Sequence, residues 1–241
     1  MDKLTSWEFG LTPDQMREVD RLAEAEYGIA PIQLMEVAGL QTARVARGFL
    51  KSNLRGQAVC ILTGKGNNGG DGMVTARRLA AWGAAPLVLT SFPEAKAGGL
   101  TATQLRSARA SGAHIEEWTG SLPAADLYID ALLGFGASGA PRGTTAQMIT
   151  SLSDARSPVL SVDLPSGMDA ADGSTPGDCV VADTTVTLGC LKTGMLRREA
   201  MPYVGTLLVA DIGIPIDLMR RLGIDSVDLF AGGEIVSLDY P

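Results

Sequence analysis

The chain has 241 residues, 46% of them apolar, and its 20 Lys and Arg against 27 Asp and Glu leave a formal charge of −7. That length and apolar content suffice for one full hydrophobic core, so residues 1–241 read as a single domain. The acidic balance excludes a general nucleic-acid or anionic-membrane surface; Cys60, Cys179 and Cys190, odd in number and without metal-type spacing, exclude a disulfide framework or a zinc site.

Residues 1–15 lack the apolar core of a signal peptide and no run reaches membrane-spanning length, so the expectation is a soluble cytoplasmic protein. Thr12-Pro13 opens a helix, with Thr12 as N-cap and apolar spacing through Met16, Val19 and Leu22. A second helix follows Pro31, packing Leu34, Val37, Ala38, Ala43 and Ala46 before Arg55-Gly56 breaks it. Ala58 to Leu62 is a continuous apolar strand, residues 64–72 form a glycine loop, and Met73 to Trp82 read as a helix. Pro86 to Leu89 resembles the next strand, residues 98–111 another helix, and Leu127 to Asp130 a third strand, with further strands at 158–163, 184–189 and 205–210. This alternation predicts a three-layer αβα, Rossmann-like fold with a mainly parallel sheet preceded by two helices.

The glycine loop is the strongest local signal. Gly64-Lys65-Gly66-Asn67-Asn68-Gly69-Gly70-Asp71-Gly72 joins a strand to a helix, where glycine permits positive φ and close approach and the first helical amides attract anions. Lys65, Arg77, Arg78 and Arg142 are candidate phosphate partners, or simply solvated cations. Gly64, Gly66 and Gly69 satisfy a dinucleotide-binding GxGxxG, but the strand that should end in a ribose-binding acid runs into Ser91-Phe92-Pro93, which argues against an ordinary hydride-transfer dehydrogenase. No Ser or Thr follows Lys at Walker spacing. His114, the one histidine, lies away from these segments and reads as structural.

Three segments together are more specific: Asn67-Asn68-Gly69-Gly70-Asp71-Gly72, then Asp130-Ala131-Leu132-Leu133-Gly134-Phe135-Gly136, then Val162-Asp163-Leu164-Pro165-Ser166-Gly167. They resemble the signature segments of the YjeF N-terminal domain family, and Leu34 to Gly39 resembles its early helix motif. The resemblance runs over roughly residues 12–215 and implies an NAD(P)HX epimerase, a metabolite-repair isomerase that interconverts the C6 epimers of hydrated NADH or NADPH. No second glycine-aspartate motif follows, so no C-terminal dehydratase domain is expected.

Carried over by position, the resemblance implies substrate contacts from Asn67, Asn68, Gly69, Gly70 and Asp71, from Gly134, Phe135, Gly136, Ala137, Ser138, Gly139 and Ala140, and from Asp163. It implies potassium (K+) on Asn68, Asp130 and Ser166, an oxygen donor set that suits a hard cation. Asp163 is the expected catalytic acid and base at the C6 hydroxyl, and Lys192 a second catalytic candidate, the alternative being a solvated lysine after a strand. Asp130 and Asp163 have a plainer alternative as caps of loop amides, and Ser166 as a turn residue. Val37 stands where many relatives carry Asn, and Lys65 where many carry Pro. Homodimers are frequent among such proteins; the two N-terminal helices are contact elements for one, or a cover for the chain's own sheet. The rival reading is a noncatalytic dinucleotide-binding or scaffold protein with the same domain.

Overall fold

A computed structural model describes residues 10–50, 53–224 and 229–238. The signal-peptide reading of residues 1–15 therefore falls largely outside the described residues, and among those that are described no helix is long and apolar enough to cross a membrane.

The chain begins with a two-residue strand β1 (Gly10–Leu11) and helix α1 (Pro13–Tyr27). Thr12 caps α1 as its sequence predicts: its hydroxyl accepts from the Gln15 N–H at 3.3 Å, and the Gln15 side chain accepts from the Thr12 N–H at 2.9 Å. Gly28, at φ 67°, ends the helix in the left-handed conformation that glycine adopts without steric cost. Helix α2 (Pro31–Phe49) follows and stops earlier than Arg55-Gly56, because Leu50 turns extended and buries itself in the core.

Then the α/β rhythm starts: β2 (Ala58–Thr63), α3 (Asn67–Ala81), β3 (Ala85–Thr90), α4 (Gly99–Ala110), β4 (His114–Glu117) and β5 (Leu127–Ala131). Helix α5 (Gly143–Leu152), β6 (Val159–Val162), β7 (Thr184–Leu188), the short β8 (Leu191–Lys192) and the single-turn α6 (Met201–Val204) lead to β9 (Thr206–Ala210), α7 (Ile216–Arg221) and β10 (Ile235–Leu238). The strands expected at 158–163, 184–189 and 205–210 are present. Helix α5, the β1–β8 pairing and β10 were not foreseen. The last two depend on pairing between distant segments, and α5 lacks a side-chain N-cap and charged residues in its end turns.

The main sheet has the order β10-β9-β7-β6-β5-β2-β3-β4, parallel throughout except that β10 runs antiparallel to β9. Alternate residues of each strand serve different layers. Val59, Ile61, Ile129 and Val162 join a core with α1 to α4 and α7, while Cys60, Leu62, Tyr128 and Val159 join another with α5. This is the expected three-layer αβα arrangement. The chain leaves β2 toward β3 and β4, then returns to lay β5 on the other side of β2, so a topological switch point opens between β2 and β5. Ligand crevices form at the carboxyl ends of the strands beside such a reversal. The two N-terminal helices cover the chain's own sheet, with α2 set so closely on α3 that a Cβ at Gly39 would meet the Val74 side chain at 2.4 Å.

Candidate active site

A cleft of about 980 Å³ opens at this switch point, lined from α1, α2, the start of α3 and the segments after β3, β5 and β6. Its floor is the glycine segment, whose geometry differs from the expected loop. Asn67 is already the first residue of α3, so Asn67 to Gly72 are helical and the helix begins six residues before Met73. None of Gly64, Gly66, Gly69, Gly70 or Gly72 has positive φ; Gly64, Gly69 and Gly72 are required by close approach instead. A Cβ at Gly64 would lie 1.9 Å from the Leu132 carbonyl oxygen, and one at Gly69 1.8 Å from the Gly64 carbonyl oxygen. At Gly70 a Cβ would meet the Met35 side chain, and at Gly72 that of Ala131. This fit brings the first turn of α3 directly against the end of β5. Gly66 caps the helix without a side chain, leaving the first amides open toward the cleft.

Of the expected substrate contacts, Asn67, Asn68, Asp71, Gly134, Phe135, Gly136, Ala137 and Asp163 line the cleft. Gly69 and Gly70 do not; they are the packing glycines just described, and Ser138, Gly139 and Ala140 lie beyond the cleft wall, Ala140 beside Gly177. Lys65 and Arg142 face the cleft together with Lys96. Arg77 and Arg78 do not serve it, because both are held by Glu36 of α2, which also accepts from Gln104 at 3.1 Å. Val37 packs against the core, as its apolar side chain implies. His114 is exposed beside Glu116 on the edge strand β4, far from the chemistry.

Behind the cleft lies a buried polar cluster. Asp130, wholly buried at the end of β5, accepts from the Ser161 hydroxyl at 2.9 Å, the Ser166 N–H at 2.8 Å, the Ser166 hydroxyl at 2.5 Å and the Leu132 N–H at 3.2 Å. Burial pushes its carboxyl up and these hydrogen bonds pull it back, with burial prevailing. Ser166 also accepts from the Leu133 N–H at 2.9 Å, and the Asn68 amide donates to the Leu133 carbonyl at 2.9 Å. Asp130 thus does accept loop amides, the plainer role open to it, and at the same time joins Ser166 and Asn68 in one oxygen-rich knot. The Asn68 Oδ1 within it is buried with no hydrogen-bond partner. An orphaned acceptor of this kind beside further oxygen donors fits a hard monovalent or divalent cation.

Asp163 follows β6 at φ 71°, the one left-handed residue other than glycine among those described. Such a conformation costs about 1–3 kcal/mol and persists only where its surroundings hold it. Here its N–H is fixed to the Val186 carbonyl at 2.8 Å, Oδ2 accepts from the Phe135 N–H at 3.2 Å, and Oδ1 accepts from Lys192. Lys192 is fully buried, and its Nζ also lies 2.9 Å from the Thr187 hydroxyl, 3.1 Å from the Leu188 carbonyl and 3.0 Å from the Cys190 carbonyl. It is therefore no solvated lysine, yet it stands behind Asp163 rather than on the cleft surface. Lys192, the second catalytic candidate, thus bonds the Asp163 carboxyl from behind the cleft wall.

Two carboxyls on the cleft wall complete the site. Asp71, only 8% exposed, is driven well above the usual carboxylate range by burial and then by the charges of Asp163 and Asp20. Asp20, on α1, is pushed up to about 6 by burial, with Lys192 opposing and Asp163 reinforcing the shift. Asp20 escaped the sequence reading although a signal existed. It sits four residues after Met16 and one after Val19, in phase with the buried stripe that continues at Ala23, where an acid has no packing reason to be. No cysteine lines the cleft, and burial raises their thiols to about 12 at Cys60 and Cys179 and about 11 at Cys190.

The model of the family described as YjeF-related protein N-terminus matches residues 31–194. A protein of Dehalogenimonas lykanthroporepellens named NAD(P)H-hydrate epimerase is 36% identical over 230 residues, which span 95% of this chain and 92% of that protein. A protein of Moorella thermoacetica named bifunctional NAD(P)H-hydrate repair enzyme is 36% identical over 218 residues, 87% of this chain but only 41% of that longer protein. Among solved structures, the yeast protein ynu0 (YNL200c) superposes with a TM-score of 0.80 at 25% identity, covering 95% of this chain and 99% of that one.

Proposed function

We infer the activity from the family and the site together: the chain belongs to the YjeF-related N-terminal family and is an NAD(P)H-hydrate epimerase, an isomerase that interconverts the R and S forms at C6 of hydrated NADH or NADPH. The observation that carries the reading is the buried Lys192 clamped onto cleft-facing Asp163, close to the N-terminus of α3. The first amides of α3, with Lys65, Lys96 and Arg142 on the same cleft, suit the anionic pyrophosphate of a dinucleotide. Asp163 presents a carboxylate to the nicotinamide ring.

Epimerisation at C6 requires a bond to that carbon to break and re-form. When the C6–O bond breaks, the ring nitrogen shares its electron pair with C6 and the ring becomes a cation. Asp163, already hydrogen-bonded at both oxygens, is a preorganised anion for this charge and needs no reorientation as it develops. Asn67, Asn68, Gly134, Phe135, Gly136 and Ala137 shape the walls that hold the dinucleotide against it. Potassium, when bound, would be held by Asn68, Asp130 and Ser166 and would supply charge that steadies the α3 N-terminus and offsets phosphate. The test is to incubate the protein with the pure R epimer of hydrated NADH and follow the S epimer by chromatography. Appearance of S well above the uncatalysed rate is expected. Binding without exchange would instead identify a noncatalytic dinucleotide-binding module.

A further inference from the structure

Epimerisation also needs a proton at the C6 oxygen, and the family-based expectation places that task on Asp163. The geometry points elsewhere. Both Asp163 oxygens are occupied by donors, Lys192 on one and the Phe135 N–H on the other, an arrangement for a carboxylate that accepts. On the same cleft, the carboxyls of Asp20 and Asp71 receive no hydrogen bond or ion pair from a described residue, although Asp71 is more than nine-tenths buried. Two unpartnered carboxyls facing a cleft beside an anion already satisfied by a lysine amount to a division of labour.

We propose that Asp20, on the inward face of α1, is the proton donor and acceptor at the C6 hydroxyl, while Asp163 serves as the electrostatic partner of the ring cation. This rests on the epimerase reading. Asp20 lies outside residues 31–194, so the family match is silent about it. In the forward step the Asp20 carboxyl gives its proton to the C6 hydroxyl oxygen and the C6–O electron pair leaves with that oxygen as water. The ring-nitrogen pair then makes the C=N bond, and C6 becomes planar. Water adding to the other face forms the new C6–O bond, returns the electron pair to nitrogen, and passes its extra proton back to the Asp20 carboxylate through a second water. Nothing is oxidised or reduced, and the enzyme ends as it began.

The charged surroundings fit this assignment. Facing Asp20 are Asp71 from α3, Asp163 after β6 and Lys192 from β8, while Lys65, Lys96 and Arg142 are the other charged residues of the cleft. Asp20 is only part-buried on the cleft wall, within reach of a substrate oxygen and of water, whereas Asp71 is 8% exposed; burial raises Asp20 to about 6, where a carboxyl both gives and retakes a proton near neutral pH.

The experiment compares wild type, Asp20→Asn and Asp20→Glu for R-to-S exchange across pH 5–9, with affinity for the hydrate measured separately. Asn is close in shape to the protonated carboxyl, so the fold should survive, which a thermal melt verifies. Asp20→Asn is expected to lower kcat by about 10²–10⁴ with KM changed less than about threefold, and to remove the fall in rate that wild type shows as pH rises past 6. Asp20→Glu should regain part of the rate and restore that limb. An Asn variant within threefold of wild type, or slowed with its pH profile unchanged, overturns the assignment. A wild type that fails to exchange the epimers overturns the epimerase reading itself, which is a separate result.

Discussion

Replacing Gly69 by alanine tests whether the glycines of residues 64–72 serve packing rather than loop flexibility. An added Cβ would lie 1.8 Å from the Gly64 carbonyl oxygen and 2.7 Å from its carbonyl carbon, both backbone atoms with no rotamer to change. Ordinary carbon–oxygen contact is about 3.3 Å, so the first turn of α3 and the end of β2 must separate by well over 1 Å. Gly64 cannot yield easily, because it is itself pressed on Leu132 and its N–H is bonded to the Ala131 carbonyl at 3.1 Å. Overpacking of this kind costs about 1–3 kcal/mol, and in a domain of this size each kcal/mol lowers Tm by about 2–4 °C. The same displacement moves Asn67, Asn68 and Asp71 relative to Asp163, and a 1 Å misplacement can cost about 10² in rate. Gly66→Ala is the control, since nothing lies within 4 Å of a Cβ there. Thermal melts and the epimer-exchange assay on both variants decide the point. A Gly69→Ala protein that melts with wild type and retains its rate would refute the packing argument.

Asp163→Asn should lower epimer exchange by about 10²–10³ with dinucleotide binding retained, since it removes the anion facing the ring cation; equal rates by NMR exchange would count against that role. If potassium occupies the Asn68 knot, KCl should raise Tm above an equal concentration of choline chloride, by an amount equivalent to about 2.7 kcal/mol at a hundredfold excess over Kd, and Asn68→Leu should abolish the difference; equal melts in both salts would remove the cation from the site. Asp20→Asn should stabilise the protein above pH 6 while slowing it. The Asp20 carboxyl is raised in the folded state, from an ordinary 3.8 to about 6, so the folded protein binds the proton more tightly than the unfolded chain does. Stability is therefore lost as pH climbs from about 4 to about 6, with a ceiling of about 3 kcal/mol, and asparagine escapes that loss. A difference between the melting curves of the two proteins at pH 7.5 that vanishes near pH 4 is expected; the same difference at both values would show that burial of Asp20 is not its cause.

Much of this molecule was legible because its signals are local. Thr12-Pro13 with Gln15 carries a helix start in four residues, and the largely apolar runs at β2, β5 and β6 announce buried parallel strands, since both of their faces must be covered. The order of the three polar segments, and the placement of each after a strand, marked where the site would lie. What stayed hidden depends on distance. The antiparallel β10 and the β1–β8 pair exist only through partners far along the chain, and Arg77 and Arg78 look like free cations until α2 brings Glu36 to them.

The same division runs through the site. The sequence by itself determined the inventory: small residues wherever backbone must touch backbone, and carboxylates, amides and hydroxyls in place of His and Cys. Only the tertiary structure decided their surroundings. Burial and proximity are properties of the packed chain, and they alone set Lys192 behind Asp163, leave Asn68 Oδ1 without a donor, and bring Asp20 from α1 onto the same cleft as Asp71 and Asp163, far along the chain.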